Sequence, residues 1–190
     1  MNVWPKTWRV NLSEGFFTEL PLVRSDDGFG IYALDMMGQT VWSQQCAEAL
    51  ADKLKTYDFD IILTAEAKAI GLAQALANHL NHPEYVVLRK ATKLYMPDPI
   101  SVEVKSITTT AQQTFYLGQD KVALLKDKRV CVLDDVISTG GTLHAMLQIT
   151  KLTDCMPVVI AVVLTEETEW QEFDGVPVVS LDHIPLPGLS

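Results

Sequence analysis

The segment Val-Cys-Val-Leu-Asp-Asp-Val-Ile-Ser-Thr-Gly-Gly-Thr, residues 130–142, decides how this chain folds. Its first four residues are all apolar, a pattern typical of a central strand in a parallel sheet that is buried on both faces. Asp134 and Asp135 follow at the carboxyl end of that strand, where open α/β sheets bind their ligands. The residues after them lead into a segment with helical periodicity. The sequence therefore predicts a ligand site at this junction between strand and helix.

The loop between the strand and the helix is suited to an anion. Gly140 and Gly141 allow the backbone to approach a ligand closely, and the helix that follows directs free N–H groups and a dipole toward it. The loop also carries three hydroxyl donors, Ser138, Thr139 and Thr142. Carboxylates, in turn, accept hydrogen bonds from sugar hydroxyls. One ribose 5-phosphate would therefore span the acidic pair and the loop.

Composition limits the class of protein. A chain of 190 residues is most simply one domain that buries roughly 70% of its unfolded surface. A net charge of −9 argues against a general nucleic-acid or anionic-membrane surface, so we expect neither partner. The longest apolar run, residues 156–164, is too short to span a bilayer, and no secretory signal is apparent. Three cysteines without metal or redox spacing favour the reducing cytoplasm.

Hydrophobic periodicity predicts alternating strands and helices along most of the chain. The predicted strands are residues 60–64, 85–88, 130–133, 157–164 and 176–179, and the predicted helices are residues 41–57, 69–80 and 142–152. Strands that are separated by helices form a parallel sheet with right-handed crossovers. The predicted fold class is therefore α/β, with a central, mostly parallel sheet flanked by helices.

The remaining segments are predicted to surround this sheet within a single domain, residues 1–190. Residues 1–40 and the tail, residues 181–190, flank the core of residues 41–180 and form a small hood. Residues 91–120 are polar and rich in Thr and Gln, and we expect them to form a long, flexible hairpin loop.

Three segments resemble the type I phosphoribosyltransferases, in the order that this family has them. Residues 133–142 are similar to the family's phosphoribosyl-pyrophosphate signature. Residues 64–70 fall where the family has its pyrophosphate loop, although Ala69 replaces the usual Gly. Residues 89–93 resemble the Arg-Lys-x-x-Lys segment of the adenine, xanthine and purine-repressor branch. The resemblance covers about residues 41–180 and implies the type I phosphoribosyltransferase fold.

The resemblance also implies a role for each matching residue. Asp134 and Asp135 would bind the ribose diol, and the 5′-phosphate would lie on Ile137, Ser138, Thr139, Gly140, Gly141 and Thr142. Pyrophosphate would lie on Ala67, Lys68, Arg89, Lys90 and Lys93. The family often builds its pyrophosphate loop with a cis peptide bond that does not involve proline. Mg²⁺ would be held mainly through the substrate, with the two aspartates as candidate protein ligands.

Each segment also has an ordinary structural explanation. An Asp-Asp pair can be a solvated turn, Lys68 a surface residue, and residues 89–93 a strand end made soluble by its cations. Two common nucleotide motifs are excluded, because neither Gly-x-x-x-x-Gly-Lys nor Gly-x-Gly-x-x-Gly is present. Three cations within five residues of an acidic chain favour a pyrophosphate site over a purely solubilising role.

The predicted hairpin contains a candidate catalytic carboxylate. Ile100, Val102 and Val104 alternate with polar residues, which indicates a strand, and the plain interpretation is an edge strand with its polar residues outward. The segment is also similar to the Leu-Glu-Tyr segment of adenine phosphoribosyltransferases, which implies that Glu103 is the general acid/base. Lys93 would act with it by stabilising the departing charge.

The resemblance implies a purine phosphoribosyltransferase of the salvage type, most simply for adenine, that works as a homodimer with Mg²⁺. Two alternatives remain: an enzyme for xanthine or another base, and a non-enzymatic regulator that binds phosphoribosyl pyrophosphate. The base would meet the hood, where four aromatic residues either stack on a purine or pack the hood against the sheet. They are Phe16, Phe17, Phe29 and Tyr32.

Overall fold

The computed structural model describes residues 4–24, 29–105 and 112–189. The strands and helices of residues 40–88 and 129–184 follow the predicted order, whereas residues 7–32 contain strands without a helix between them. The strands are β1 Thr7–Ser13, β2 Phe16–Arg24, β3 Phe29–Tyr32, β4 Ile61–Ala65, β5 Val86–Leu88, β6 Ile100–Lys105, β7 Gln112–Leu117, β8 Arg129–Ile137, β9 Met156–Glu166, β10 Glu172–Phe173, β11 Val176–Ile184 and β12 Gly188–Leu189. The helices are α1 Thr40–Leu54, α2 Ile70–His79, α3 Gln119–Leu125 and α4 Gly141–Leu152.

The central sheet has the strand order β10-β11-β9-β8-β4-β5. Every pairing in it is parallel except that of the two-residue strand β10, so the predicted α/β fold class is confirmed. The chain passes from β4 to β5 on one side and later returns to β8 on the other side. The loops after β4 and β8 therefore diverge and leave a crevice, which is where such sheets bind ligands.

Apolar side chains cover both faces of this sheet. On one face α1 and α2 pack with the hood through residues such as Leu50, Leu72 and Val10. On the other face α4 packs with the hairpin of β6 and β7, through residues such as Met146 and Phe115. Strands buried on both faces are hydrophobic throughout, which explains the continuous apolar runs in the sequence.

The hood is an antiparallel sheet of order β1-β2-β3-β12. Its last strand comes from the tail, since Gly188 pairs with Gly30 and Leu189 with Phe29. Asp182 of β11 accepts a hydrogen bond from the Asn11 N–H, at 2.6 Å, and so joins the hood to the central sheet. The hood and the tail thus lie on one side of the core.

Among the described residues, three element ends differ from the predicted ones by three residues or more, and one helix was not predicted. β8 continues to Ile137 because it stays paired with β9, so the acidic pair lies inside the strand rather than after it. β11 runs to Ile184, past the predicted end of both the strand and the core, because it too pairs with β9. Helix α1 ends at Leu54, three residues early. Helix α3 was not predicted; its seven residues bury Leu125 alone.

Candidate active site

The two adjacent aspartates of β8 lie at the crevice beside β4. Both are nearly buried, with 9% of Asp134 and 8% of Asp135 exposed. Successive side chains of a strand point to opposite faces, and here Asp134 lines a cavity while Asp135 approaches Lys68, with 3.9 Å between Oδ2 and Nζ. The Asp135 N–H donates a hydrogen bond to Asp134 Oδ1 at 2.9 Å.

The surroundings of Asp134 disfavour its negative charge. Burial raises the pKa of the Asp134 carboxyl well above its ordinary value, the charge of Asp135 raises it further, and Lys68 partly opposes both effects. A ligand that donates hydrogen bonds, or a cation close to this pair, would offset the cost of the buried charge. The buried charge of the pair therefore favours the binding of a hydrogen-bond donor such as a sugar diol, of a cation such as Mg²⁺, or of both.

The loop after β8 forms the wall of a cavity of about 540 Å³. Gly140 has φ +78°, which favours glycine, and it leads directly into α4. The six residues predicted for the 5′-phosphate all line this cavity, together with Asp134 and Lys90. The ring of Phe173 lies against Gly140, where an added Cβ would be 2.4 Å from a ring carbon. The structure thus joins the loop, one aspartate and one cation around a single space.

The loop after β4 lies across the crevice from that cavity. The peptide bond between Glu66 and Ala67 is cis, the feature that the resemblance implied. Ala67 and Lys68 line a second cavity of about 540 Å³ between the residues before α1 and the start of α2. Ala69 has φ −83°, which any residue adopts, so its methyl group imposes no strain where the family has Gly.

Glu66 is a residue of this region that the sequence analysis missed. Its Oε2 accepts a hydrogen bond from the Lys90 N–H at 2.7 Å, and its Oε1 lies 2.7 Å from Arg89 Nε. The second contact is an ion pair rather than a directed hydrogen bond, because the Nε–H does not point at the oxygen. Arg89 also exchanges two backbone hydrogen bonds with Tyr116 of β7. Glu66 therefore connects the loop after β4 to the cationic end of β5.

Neither cavity is lined by four of the predicted residues, Arg89, Asp135, Lys93 and Glu103. Arg89 and Asp135 contact Glu66 and Lys68, respectively, at the crevice, whereas Lys93 is exposed. β6 is a strand as predicted, and Glu103 lies exposed opposite Thr114 of β7, on the strand face away from buried Val102. Val104 and Gln113 of the hairpin line the first cavity instead.

Two of the four hood aromatics, Phe16 and Tyr32, pack within the protein, whereas Phe17 and Phe29 are exposed. Tyr32 is buried, and its hydroxyl donates a hydrogen bond to the Pro5 carbonyl at 3.0 Å. Phe16 meets Trp42 edge-on, and the Arg9 guanidinium lies over the Phe17 ring. The contacts of Phe16 and Tyr32 favour the structural interpretation of these two residues.

A metal ion would find few protein ligands here. The described residues contain no group of three or more His, Cys, Asp or Glu side chains that could hold an ion. Two adjacent carboxylates nevertheless suit Mg²⁺, which prefers oxygen ligands and usually retains several water molecules and substrate oxygens in its coordination shell. The residues present therefore fit an ion held mainly by substrate oxygens, with Asp134 and Asp135 beside it.

Comparison with known proteins identifies the family. The family model "phosphoribosyl transferase domain" matches residues 41–185, which is most of the chain. The chain therefore belongs to the phosphoribosyltransferase family.

Several relatives of this chain have purine-related names. It is 32% identical to adenine phosphoribosyltransferase of Mycoplasma mycoides over 70% of this chain and 66% of the relative. It is 27% identical to a purine biosynthesis transcriptional repressor of Bacillus subtilis over 63% of this chain and 41% of the relative. The matched region thus spans less than two thirds of either relative.

A solved structure is similar in fold as well. The crystal structure of adenine phosphoribosyltransferase from Thermoanaerobacter pseudethanolicus has a TM-score of 0.67, with 19% identity over 86% of this chain and 95% of that one. This similarity supports the type I phosphoribosyltransferase fold that the resemblance implied. Among the described residues, no helix is long and apolar enough to cross a membrane.

Proposed function

We propose that this protein transfers the 5-phosphoribosyl group from phosphoribosyl pyrophosphate to a purine base, with adenine as the preferred base, and releases pyrophosphate. The observation that carries the proposal is the position of Asp134 and the loop of residues 137–142 around one cavity, with Lys68 across the crevice. The family membership and the adenine-specific names of relatives support the choice of reaction and of base.

In this proposal each part of the site binds one part of the substrate. Asp134 and Asp135 accept hydrogen bonds from the ribose diol, and the loop with the start of α4 binds the 5′-phosphate. The N–H groups of Ala67 and Lys68 and the cations Lys68, Arg89, Lys90 and Lys93 bind the pyrophosphate. Asp134 and Asp135 would lie beside a Mg²⁺ ion held through the substrate, and such an ion would neutralise part of the departing charge.

The reaction is a substitution at the anomeric carbon. A nitrogen of the base forms a bond to that carbon while the bond to the pyrophosphate oxygen breaks, through a state with oxocarbenium character. Glu103 is proposed to act as the general acid/base and to accept the proton that the base loses. This role requires the hairpin of β6 and β7 to bring Glu103 to the cavity. Closure of this hairpin would also exclude water from the site. We further propose a cytoplasmic homodimer that binds neither nucleic acid nor membranes.

Pyrophosphate release tests this function directly. The protein is given phosphoribosyl pyrophosphate, Mg²⁺ and, one at a time, adenine, xanthine, guanine, hypoxanthine and orotate. We expect release with adenine at the highest kcat/KM. Release with another base alone would contradict the choice of adenine. Binding of phosphoribosyl pyrophosphate without release across all five bases would contradict the enzyme and favour a regulator, as the repressor-like relative suggests.

A further inference from the structure

A short turn between β9 and β11 packs directly against the loop of residues 137–142, which we call the phosphate loop. Residues 170–175, which we call the β10 turn, contain strand β10, and Phe173 pairs with Val176 across the turn. Asp174 and Gly175 have φ +50° and +78°, the positive values of the two-residue hairpin turn that Asp-Gly favours. The position of Phe173 is thereby fixed by backbone pairing rather than left to a loose loop.

Phe173 touches the phosphate loop at the one residue whose backbone requires glycine. Its ring occupies the space beside Gly140, with two ring carbons 2.4 and 2.6 Å from where a Cβ would stand. Only 4% of Phe173 is exposed, and Trp170 meets its ring edge-on at 5.2 Å between centroids. The ring is therefore held firmly, and Gly140 has little freedom to move toward it.

The same turn also contacts the first helical turn after the loop. The His144 ring lies 4.6 Å from the Phe173 ring, measured between centroids, and its Nδ1 lies 3.2 Å from Asp174 Oδ2. His144 belongs to α4, whose N-terminus faces the cavity. The β10 turn therefore contacts the phosphate loop on both sides of the loop-to-helix junction.

We propose that Phe173 is a positioning residue for the 5′-phosphate, with His144 and Asp174 supporting it. This inference rests on the proposed function. The phosphate is bound by backbone N–H groups, so its affinity depends on the exact path of the loop, and a small displacement of such a site weakens it strongly. Phe173 acts through Gly140 and does not itself line the cavity.

The test compares Phe173→Leu with a matched control, Phe59→Leu. Phe59 also lies against a histidine, His82, at 5.4 Å between ring centroids, but it precedes β4 and so lies at the opposite end of the sheet. The probes are ribose 5-phosphate, which carries only the 5′-phosphate, and pyrophosphate, which occupies the other loop. Both affinities are measured with Mg²⁺ by calorimetry, and KM and kcat for phosphoribosyl pyrophosphate are measured beside them.

We expect Phe173→Leu to weaken ribose 5-phosphate about tenfold and to raise KM for phosphoribosyl pyrophosphate by a similar factor. Pyrophosphate affinity and kcat should stay within about twofold, and Phe59→Leu should leave all four quantities unchanged. Equal loss of both ligands in Phe173→Leu, or no loss of ribose 5-phosphate, would overturn the positioning role.

A second variant covers the case in which Phe173→Leu does not fold. The side chain of His144 is 48% exposed, so His144→Ala leaves the core intact and removes one side of the contact. It should weaken ribose 5-phosphate selectively, and the absence of that loss would overturn the proposal. Failure of the unaltered protein to bind ribose 5-phosphate would instead contradict the proposed function itself.

Discussion

At Asp134 the sequence places a carboxylate where a folded protein would ordinarily exclude one. Nothing in the strand pattern asks for charge at this position, because the residues before it are all buried and apolar. The carboxylate is kept at a cost in stability, since burial and the neighbouring Asp135 both raise its pKa. Functional sites are where such costs are found.

Replacing Asp134 should therefore stabilise the protein while harming the site. The raised pKa means that the folded state disfavours the charged form, so the ligand-free protein loses stability as pH rises through the pKa of Asp134. Asp134→Asn should raise Tm by about 2–4 °C near pH 8, corresponding to roughly 1 kcal/mol. The gain should vanish near pH 4, and ribose 5-phosphate should bind far more weakly.

Asp60→Asn is a control for which we expect the opposite change in Tm. Three hydrogen bonds from Arg129, two from its side chain and one from its backbone N–H, hold the pKa of the Asp60 carboxyl well below its ordinary value. Its contribution to stability is present above that ordinary value and is lost as pH falls through the lowered pKa. Asp60→Asn should lower Tm at neutral pH, and less so toward pH 3. Thermal unfolding from pH 3 to 8 measures both variants; a lower Tm for Asp134→Asn at pH 8 would contradict the argument.

A substitution at Glu66 should weaken the binding of pyrophosphate selectively. Its carboxylate contacts both the Arg89 side chain and the Lys90 backbone, so Glu66→Gln should misplace the cations at the end of β5. We expect pyrophosphate to bind about tenfold more weakly, with ribose 5-phosphate unchanged. Titration calorimetry of each ligand measures the difference.

The control for Glu66→Gln is Glu84→Gln. Glu84 pairs with Lys121 at 3.4 Å on the surface, where an ion pair contributes little. Glu84→Gln should therefore leave the affinities for pyrophosphate and for ribose 5-phosphate unchanged. Equal weakening of both ligands in Glu66→Gln would indicate general damage rather than a role in the pyrophosphate loop.

Among the elements, the hairpin of β6 and β7 is the one whose position relates most closely to mechanism. Its inner face packs on α4 through Val102 and Phe115, which fixes which residues reach the cavity. In this arrangement Val104 and Gln113 line the cavity, and Glu103 does not. A catalytic role for Glu103 therefore requires the hairpin to move when substrate binds.

Turnover of hairpin variants tests that movement. Glu103→Gln should lower kcat about a hundredfold and leave KM for phosphoribosyl pyrophosphate nearly unchanged, since a general acid/base acts in the transition state. Gln113→Ala should change kcat far less. A loss of kcat in Gln113→Ala with none in Glu103→Gln would mean that the hairpin works in the described arrangement, and it would remove Glu103 from the reaction.

Across the whole molecule, net charge opposes the ligand that the site is built for. The chain carries −9, and phosphoribosyl pyrophosphate is itself strongly anionic. Local groups must therefore outweigh the repulsion from the net charge. The described residues contain no cluster of three or more His, Cys, Asp or Glu side chains that could hold a metal by themselves. Mg²⁺ carried by the substrate would supply the missing positive charge.

Removing Mg²⁺ should weaken the binding of pyrophosphate much more than the binding of ribose 5-phosphate. With EDTA in place of Mg²⁺, phosphoribosyl pyrophosphate and pyrophosphate should each bind at least about tenfold more weakly, whereas ribose 5-phosphate should change by less than about threefold. Calorimetry with and without the ion measures this. Equal affinity for pyrophosphate under both conditions would contradict a metal held through the substrate.

Local pattern was enough to predict the order of the five parallel strands of the central sheet and of helices α1, α2 and α4, because buried parallel strands and amphipathic helices have distinct periodicities. It failed where pairing alone extends a strand: β8 takes in the acidic pair, and β11 continues to Ile184, through contacts with β9 that are distant in sequence. Helix α3 was missed because seven residues around one buried leucine give too short a pattern.

The acids, glycines, hydroxyls and cations of the proposed site can be identified in the amino-acid sequence, in residues 64–70, 89–93 and 130–142. Which of these groups lie in contact depends on how distant segments pack. Two contacts join segments that are distant in the sequence: Glu66 with the end of β5, and the ring of Phe173 with Gly140. The outward position of Glu103 depends on how the hairpin packs. A local pattern fixes the backbone's period, but only three-dimensional packing fixes which side chains share a space.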